Sequence, residues 1–104
     1  MNVKITDNAY NDIYEFANFS RASDENIHSY ITSMLSFAYD LSSFPNIGKF
    51  DFEITTKIKK YQIRKLIYEQ HKILYYIDTD VHIVGFLHAK KDANEYIKKL
   101  KREL

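Results

Sequence analysis

Cysteine is absent from this chain of 104 residues, and glycine and proline together occupy only three positions. Without cysteine there is no disulfide framework, no thiolate metal site and no cysteine nucleophile. The scarcity of glycine and proline indicates a chain made mostly of regular helices and strands. No apolar run approaches the length of a membrane span, and the N-terminus lacks the apolar core of a signal peptide. We therefore expect one cytoplasmic domain over residues 1–104, without membrane contact.

The charges are divided unevenly between the two halves of the chain, although the net charge is only +1. Residues 1–56 hold three basic and eight acidic side chains, whereas residues 57–104 hold twelve basic and six acidic ones. This polarity indicates an anionic partner for the second half, and the alternative is an unevenly charged solvated surface. The four histidines are too scattered for metal-ligand spacing, so we expect no metal and no other cofactor.

Three short apolar runs lie between Tyr61 and His88, separated by polar residues. Runs rich in Ile, Val, Tyr and Leu at this tight spacing are typical of an antiparallel β-meander. The middle run is apolar on both faces, which predicts a central strand. Strict alternation in the third run predicts that Val84 and Phe86 share a face with His82 and His88.

Helical periodicity appears on both sides of this meander. Apolar stripes begin behind Thr6 and behind Ser23, two residues that suit the N-cap position, and a third stripe starts at Ala93. The stretch from Lys49 to Lys60 has no clear period. The predicted fold is α+β, with an N-terminal strand and an antiparallel helix hairpin packed on a small antiparallel meander sheet, and a C-terminal helix. We expect the hairpin to cover one sheet face and the other face to remain open, at least in part, to a partner.

Motifs along this order of elements resemble the RelE/ParE superfamily of bacterial type II toxins. The motifs that carry the resemblance are Ala9 with Asp12-Ile13, Phe44-Pro45 with Gly48, Ile63-Arg64-Lys65-Leu66, His71-Lys72-Ile73-Leu74-Tyr75, and Val84-Gly85-Phe86-Leu87-His88 with Asp92. They follow one another in order and span nearly the whole chain. The resemblance implies a growth-inhibiting toxin that a co-encoded antitoxin silences in a toxin–antitoxin hetero-oligomer.

The superfamily contains two biochemistries on one fold. RelE-like members cut messenger RNA in the ribosomal A site, whereas ParE-like members inhibit DNA gyrase and have no known hydrolytic role. In the RelE-like pattern, cations hold the phosphate while other side chains transfer protons. The positions of this chain that match the pattern are Arg64, Lys72, Lys90, His88 and Tyr96. The set is partial, because Gln62 stands where a lysine is common, and Lys72 and Lys90 stand where arginine is usual.

Each of the more prominent positions also has a structural interpretation. For Arg64 the alternative is a cross-strand ion pair with Glu69 or Asp78. For His88 it is a role in the turn after its strand, either as a cap or bound to Asp92, and for Tyr96 it is core packing on the last helix. His71 is predicted to lie exposed in a turn, without a role.

Three features favour the ParE-like branch. The turn from His88 to Asp92 leads into a basic final helix, the RNase set is incomplete, and the net charge is low for a protein that competes for ribosomal RNA. We therefore expect a gyrase inhibitor whose partners are gyrase and the cognate antitoxin. The alternatives are a metal-independent endoribonuclease that acts on ribosome-bound mRNA, and a non-toxic module that only pairs with an antitoxin.

Overall fold

The computed structural model describes residues 1–104, which form five strands and four α-helices. The strands are β1 (Val3–Ile5), β2 (Lys49–Phe50), β3 (Arg64–Tyr68), β4 (His71–Asp78) and β5 (Asp80–His88). The helices are α1 (Asp7–Phe19), α2 (Asp24–Tyr39) with one 3-10 turn after it (Asp40–Ser42), α3 (Phe52–Ile58) and α4 (Ala93–Glu103). None of the helices combines the length and the apolar character that crossing a bilayer requires.

The strands form one mixed sheet in the order β1-β5-β4-β3-β2. β3, β4 and β5 pair antiparallel, as the meander predicts, whereas β1 lies parallel to β5. β4 occupies the centre of the sheet, and Ile73, Leu74 and Tyr75 are completely buried. The predicted α+β class, with its N-terminal strand, helix hairpin, central meander strand and C-terminal helix, is therefore confirmed.

The helices α1, α2 and α4 each begin directly after a residue whose side chain caps the first turn. Thr6 Oγ1 accepts a hydrogen bond from the backbone N–H of Ala9, and Ser23 Oγ accepts one from that of Asn26. These side chains satisfy N–H groups that have no partner within the first helical turn. Asp92 does the same for α4, because its Oδ1 accepts from two backbone N–H groups of the first turn.

Two apolar clusters join the helices to the two faces of the sheet. On one face, α1 and α2 pack over the cluster of Ala9, Met34, Ala38, Leu41, Ile73, Tyr75, Val81, Ile83 and Phe86. On the opposite face, α3 and α4 pack over the cluster of Ile54, Ile58, Ile63, Leu74, Val84, Leu87, Tyr96, Ile97 and Leu100. Burial of these side chains on both faces supplies the main driving force for folding.

The prediction of an open second sheet face is wrong, because α3 forms where no period was visible. Asp51 caps α3, since its Oδ1 accepts from Ile54 N at 2.9 Å. Ile54 and Ile58, one turn apart, then bury the helix against the sheet. A helix of seven residues presents only this single apolar pair, which is too short a pattern for periodicity to reveal.

A β-bulge in β5 overturns the predicted alternation of that strand. Leu74 pairs with Gly85 but Tyr75 pairs with Ile83, so Val84 is an additional residue. Phe86 consequently joins the cluster under α1 and α2, whereas Val84 joins the cluster under α3 and α4. The prediction that the two share a face is wrong because the bulge shifts the phase of the strand.

The outer edge of β5 beyond the bulge is closed by side chains instead of a strand. β1 pairs with β5 only as far as Ile83. Farther along, Asn8 Nδ2 donates to the carbonyl of Val84 at 2.8 Å, and Asp12 Oδ2 accepts from the N–H of Phe86 at 2.9 Å. Both side chains belong to α1, which therefore acts as the missing neighbour of the strand.

Tyr96 of α4 reaches the same edge from the opposite face and donates its hydroxyl to Asp12 Oδ2. Gly85 leaves the room for this contact, because a Cβ at that position would collide with the hydroxyl. Burial raises the pKa of Asp12, while the hydrogen bonds from Tyr96 and Phe86 act against that increase. The carboxylate thus links both helical layers to one strand.

We expect Tyr96→Phe to lower the free energy of unfolding by about 1–3 kcal/mol, because the buried Asp12 carboxylate loses a donor. Urea unfolding followed by circular dichroism would measure the change. Tyr14→Phe is the matched control, since Tyr14 is 68% exposed and makes no side-chain hydrogen bond. Equal stability of the Tyr96→Phe variant and the unaltered protein would contradict this account of the edge.

Candidate functional site

A cavity of about 580 Å³ lies where α1 and α2 meet the turn between β3 and β4 and the turn between β5 and α4. Its volume falls in the range of small-molecule sites. Its wall is aromatic, since contacting rings of Phe16, Tyr30, His71 and His88 have centroids 4.7 to 5.5 Å apart. Its charged lining residues are Asp12, Glu15, Arg21, Glu69, Lys90 and Lys91.

His71 is part of this wall, and the prediction that it lies exposed in a turn is wrong. Only 2% of its surface is exposed, and it pairs with His88 across the ladder. The turn before it is confined to two residues, with Glu69 in the left-handed region at a φ of 46°, so the chain re-enters the sheet at His71. Its Nδ1 lies 2.7 Å from the Tyr30 hydroxyl oxygen. Burial, assisted by the neighbouring His88, lowers the pKa of His71 to about 4.

His88 uses both ring nitrogens within the protein. The backbone N–H of Lys90 donates to Nδ1 at 3.1 Å, which assigns the ring proton of the neutral side chain to Nε2. Nε2 is 3.1 Å from Gln70 Oε1 and donates to it. Burial, followed by the charges of Lys90 and Lys91, lowers the pKa of His88. His88 therefore caps the turn after β5, and neither nitrogen is free to accept a proton from a substrate.

The charged lining of the cavity contains both paired and unpaired cations. Lys91 contacts the carboxylate of Glu15, and this hydrogen bond lowers the pKa of Glu15. Arg21 and Lys90 have no carboxylate within 4.0 Å. Two unpaired cations beside an aromatic wall suit an anionic group carried on an apolar or planar body. The geometry is therefore that of a binding site.

Arg64, predicted as a phosphate-holding cation, binds the loop after α2. Its Nη1 donates to the carbonyl of Gly48 at 2.9 Å, and it forms no ion pair with Glu69 or Asp78. The Tyr75 hydroxyl holds the same loop, since it donates to the carbonyl of Pro45 and accepts from Gly48 N, both at 2.8 Å.

The five predicted site residues do not meet at one place. His88 and Lys90 line the cavity, and Arg64 is bound to the loop after α2. Tyr96 is only 4% exposed and its hydroxyl is bound to Asp12, while burial raises its pKa. Lys72 is half-buried in β4, opposite a residue of β3 and one of β5.

Several residues of the site were not singled out as functional from the sequence. They include Asp12, Tyr30 and His71, and Asn8 supports the same edge. One signal was present in the sequence. Asn8 and Asp12 lie four residues apart, on the same buried side of α1 as Ala9. Polar residues at that spacing on a buried face need polar partners.

No family model matches the chain, and no curated protein is significantly similar to it. The resemblance to the RelE/ParE superfamily therefore rests on the motifs and on the order of the elements that carry them.

We expect the contribution of His71 to the stability of the protein to be lost as the pH falls from 6.5 to 4. The pKa of His71 is lower in the folded chain than in the unfolded chain, so the unfolded state takes up the proton first. This contribution of His71 to the free energy of unfolding is fully present above pH 6.5 and amounts to roughly 3 kcal/mol. Urea unfolding over this range should show a flatter profile for His71→Gln, which no longer titrates.

The matched control is His28→Gln, at an exposed histidine of α2. This variant should keep the pH profile of the unaltered protein. If His71→Gln also keeps that profile, the buried imidazole does not set the acid sensitivity.

Proposed function

We propose that this protein is the toxin of a type II toxin–antitoxin pair and that it acts in the ParE-like manner, by binding DNA gyrase. The observation that favours this branch is the dispersal of the five RNase positions. RNA cleavage requires an acid, a base and phosphate-holding cations within reach of one phosphate group. Here Tyr96 is buried on Asp12, Arg64 is bound to a loop, and His88 has no free ring nitrogen.

Contacts among the motifs that resemble the RelE/ParE superfamily support the toxin assignment. The residues that carry the resemblance contact one another although they are far apart in the chain. Asp12 accepts from Phe86, and Gly48 is held by both Arg64 and Tyr75. The motifs thus account for three of the hydrogen bonds that join α1 and the loop after α2 to the sheet.

A protein that acts by binding needs exposed surface for its partners, and this chain exposes large apolar side chains on α1 and around β2. Tyr14 and Phe19 on α1 are 68% and 84% exposed. Four more exposed apolar side chains lie in and around β2, namely Phe44, Ile47, Phe50 and Phe52. These side chains provide apolar surface for a protein target such as gyrase.

The outer edge of β3 offers a place for the antitoxin. β2 pairs only with Arg64 and Lys65, so Leu66–Tyr68 have no strand on their outer side. Ile67 in this segment is 55% exposed. An extended antitoxin segment that added a strand here would satisfy the free backbone groups and form a toxin–antitoxin hetero-oligomer.

A second candidate function is cleavage of ribosome-bound mRNA at the aromatic cavity. One observation favours it, namely that Lys90 and His88 line the same cavity as Arg21 and His71. A nuclease at this place would rely on Arg21 and Lys90 for the phosphate.

We expect induction in a bacterial host without antitoxin to stop DNA synthesis before protein synthesis. Separate pulse labels for DNA and protein would measure the order, and the DNA-damage response should be induced. The control is the double variant Arg21→Gln with Lys90→Gln, which should still arrest growth because a gyrase binder needs no phosphate site in the cavity. The nuclease function would be established instead if protein synthesis stopped first and if the double variant abolished the accompanying mRNA cleavage.

A further inference from the structure

A groove of about 540 Å³ lies between α3 and α4, on the sheet face opposite to α1 and α2. Four of the seven residues that line it are lysines, namely Lys57, Lys59, Lys98 and Lys101. No aspartate or glutamate is among the lining residues. The groove therefore concentrates positive charge on a protein whose net charge is only +1.

The lysines of the groove are only partly neutralised by neighbouring carboxylates. Lys57 and Lys98 form exposed pairs within their own helices, with N–O distances of 3.1 Å to Glu53 and 3.5 Å to Glu95. Exposed pairs of this kind contribute little. Lys59 and Lys101 have no carboxylate within 4.0 Å. An anion in the groove would be attracted by lysines from both helical elements.

The chemistry of the lining limits what the anion can be. Ile97 is the one apolar residue of the lining, so the groove has no aromatic or aliphatic pocket for a protein partner. It contains no arginine for two-pronged binding of a single carboxylate. It also has no aromatic ring on which an unpaired base could stack. The neighbouring Tyr61 and Tyr76 rings stack on each other, with centroids 3.8 Å apart.

The lysines of the groove act as point charges, and the lining has no group that reads or stacks on bases. Such a surface suits a regular row of phosphates. Duplex DNA presents one negative charge for about every 1.7 Å of its axis, and lysines bind such a backbone without sequence preference. We propose that the groove between α3 and α4 binds the phosphate backbone of duplex DNA. This contact goes beyond the proposed binding of gyrase and does not depend on it.

Fluorescence anisotropy of a short labelled duplex DNA, measured at increasing salt concentrations, tests the proposal on the purified full chain. The unaltered protein should bind at low salt, with an affinity that falls as salt is added. Lys59→Gln with Lys101→Gln should weaken binding to every duplex sequence. It should also reduce the slope of log affinity against log salt by about 2, because two phosphate contacts are lost.

The matched control is Lys4→Gln with Lys49→Gln, which removes the same charge from exposed lysines outside the groove. This control should keep the slope of the unaltered protein, and circular dichroism would establish that both double variants are folded. Equal effects of the two double variants would overturn the proposal, as would absence of duplex binding at low salt. Tighter groove-dependent binding of single-stranded RNA or of polyglutamate would also overturn it. Pulse labelling tests the gyrase assignment separately from this result.

Discussion

The hydrogen bonds of Asp12 at the edge of β5 join both helical layers to the sheet. One carboxylate oxygen accepts from the backbone of Phe86 and from the hydroxyl of Tyr96, and Lys99 Nζ lies 3.8 Å from the other oxygen. These groups come from the sheet and from α4, while Asp12 itself belongs to α1. Without them a buried strand edge and a buried carboxylate would both lack partners, which is costly in a protein interior.

This edge also determines where the aromatic cavity forms. The bulge at Val84 reverses the phase of β5, so that Phe86 lies over the layer of α1 and α2. His88, two residues farther along, then stands opposite His71 and beside Phe16. A strand without the bulge would direct Phe86 and His88 toward α3 and α4, and the cavity would lose His88 from its aromatic wall.

Hydrogen bonds within the protein occupy the polar side chains that catalysis would need, and this favours the binding interpretation over the catalytic one. Arg64, Tyr96 and His88 are residue types that nucleases use, but each forms hydrogen bonds that hold a loop, a helix or a turn in place. Among the cations without a carboxylate partner, Arg21 and Lys90 lie at the cavity lining, and Lys59 and Lys101 lie in the groove between α3 and α4. The positions predicted for RNA cleavage therefore form no assembled set of proton-transfer groups, which is the basis of the ParE-like proposal.

Local sequence signals were sufficient to predict several elements. The caps at Thr6 and Ser23, the long stripe of α2 and the apolar runs of the meander act through neighbours a few residues away. The folded chain was needed to reveal α3, the bulge in β5, the burial of His71 and the covering of the second sheet face. These features depend on contacts between distant residues, such as Asp12 and Tyr96, which are 84 positions apart. A side chain's role at such a contact follows from its partner, and local sequence patterns carry no information about that partner.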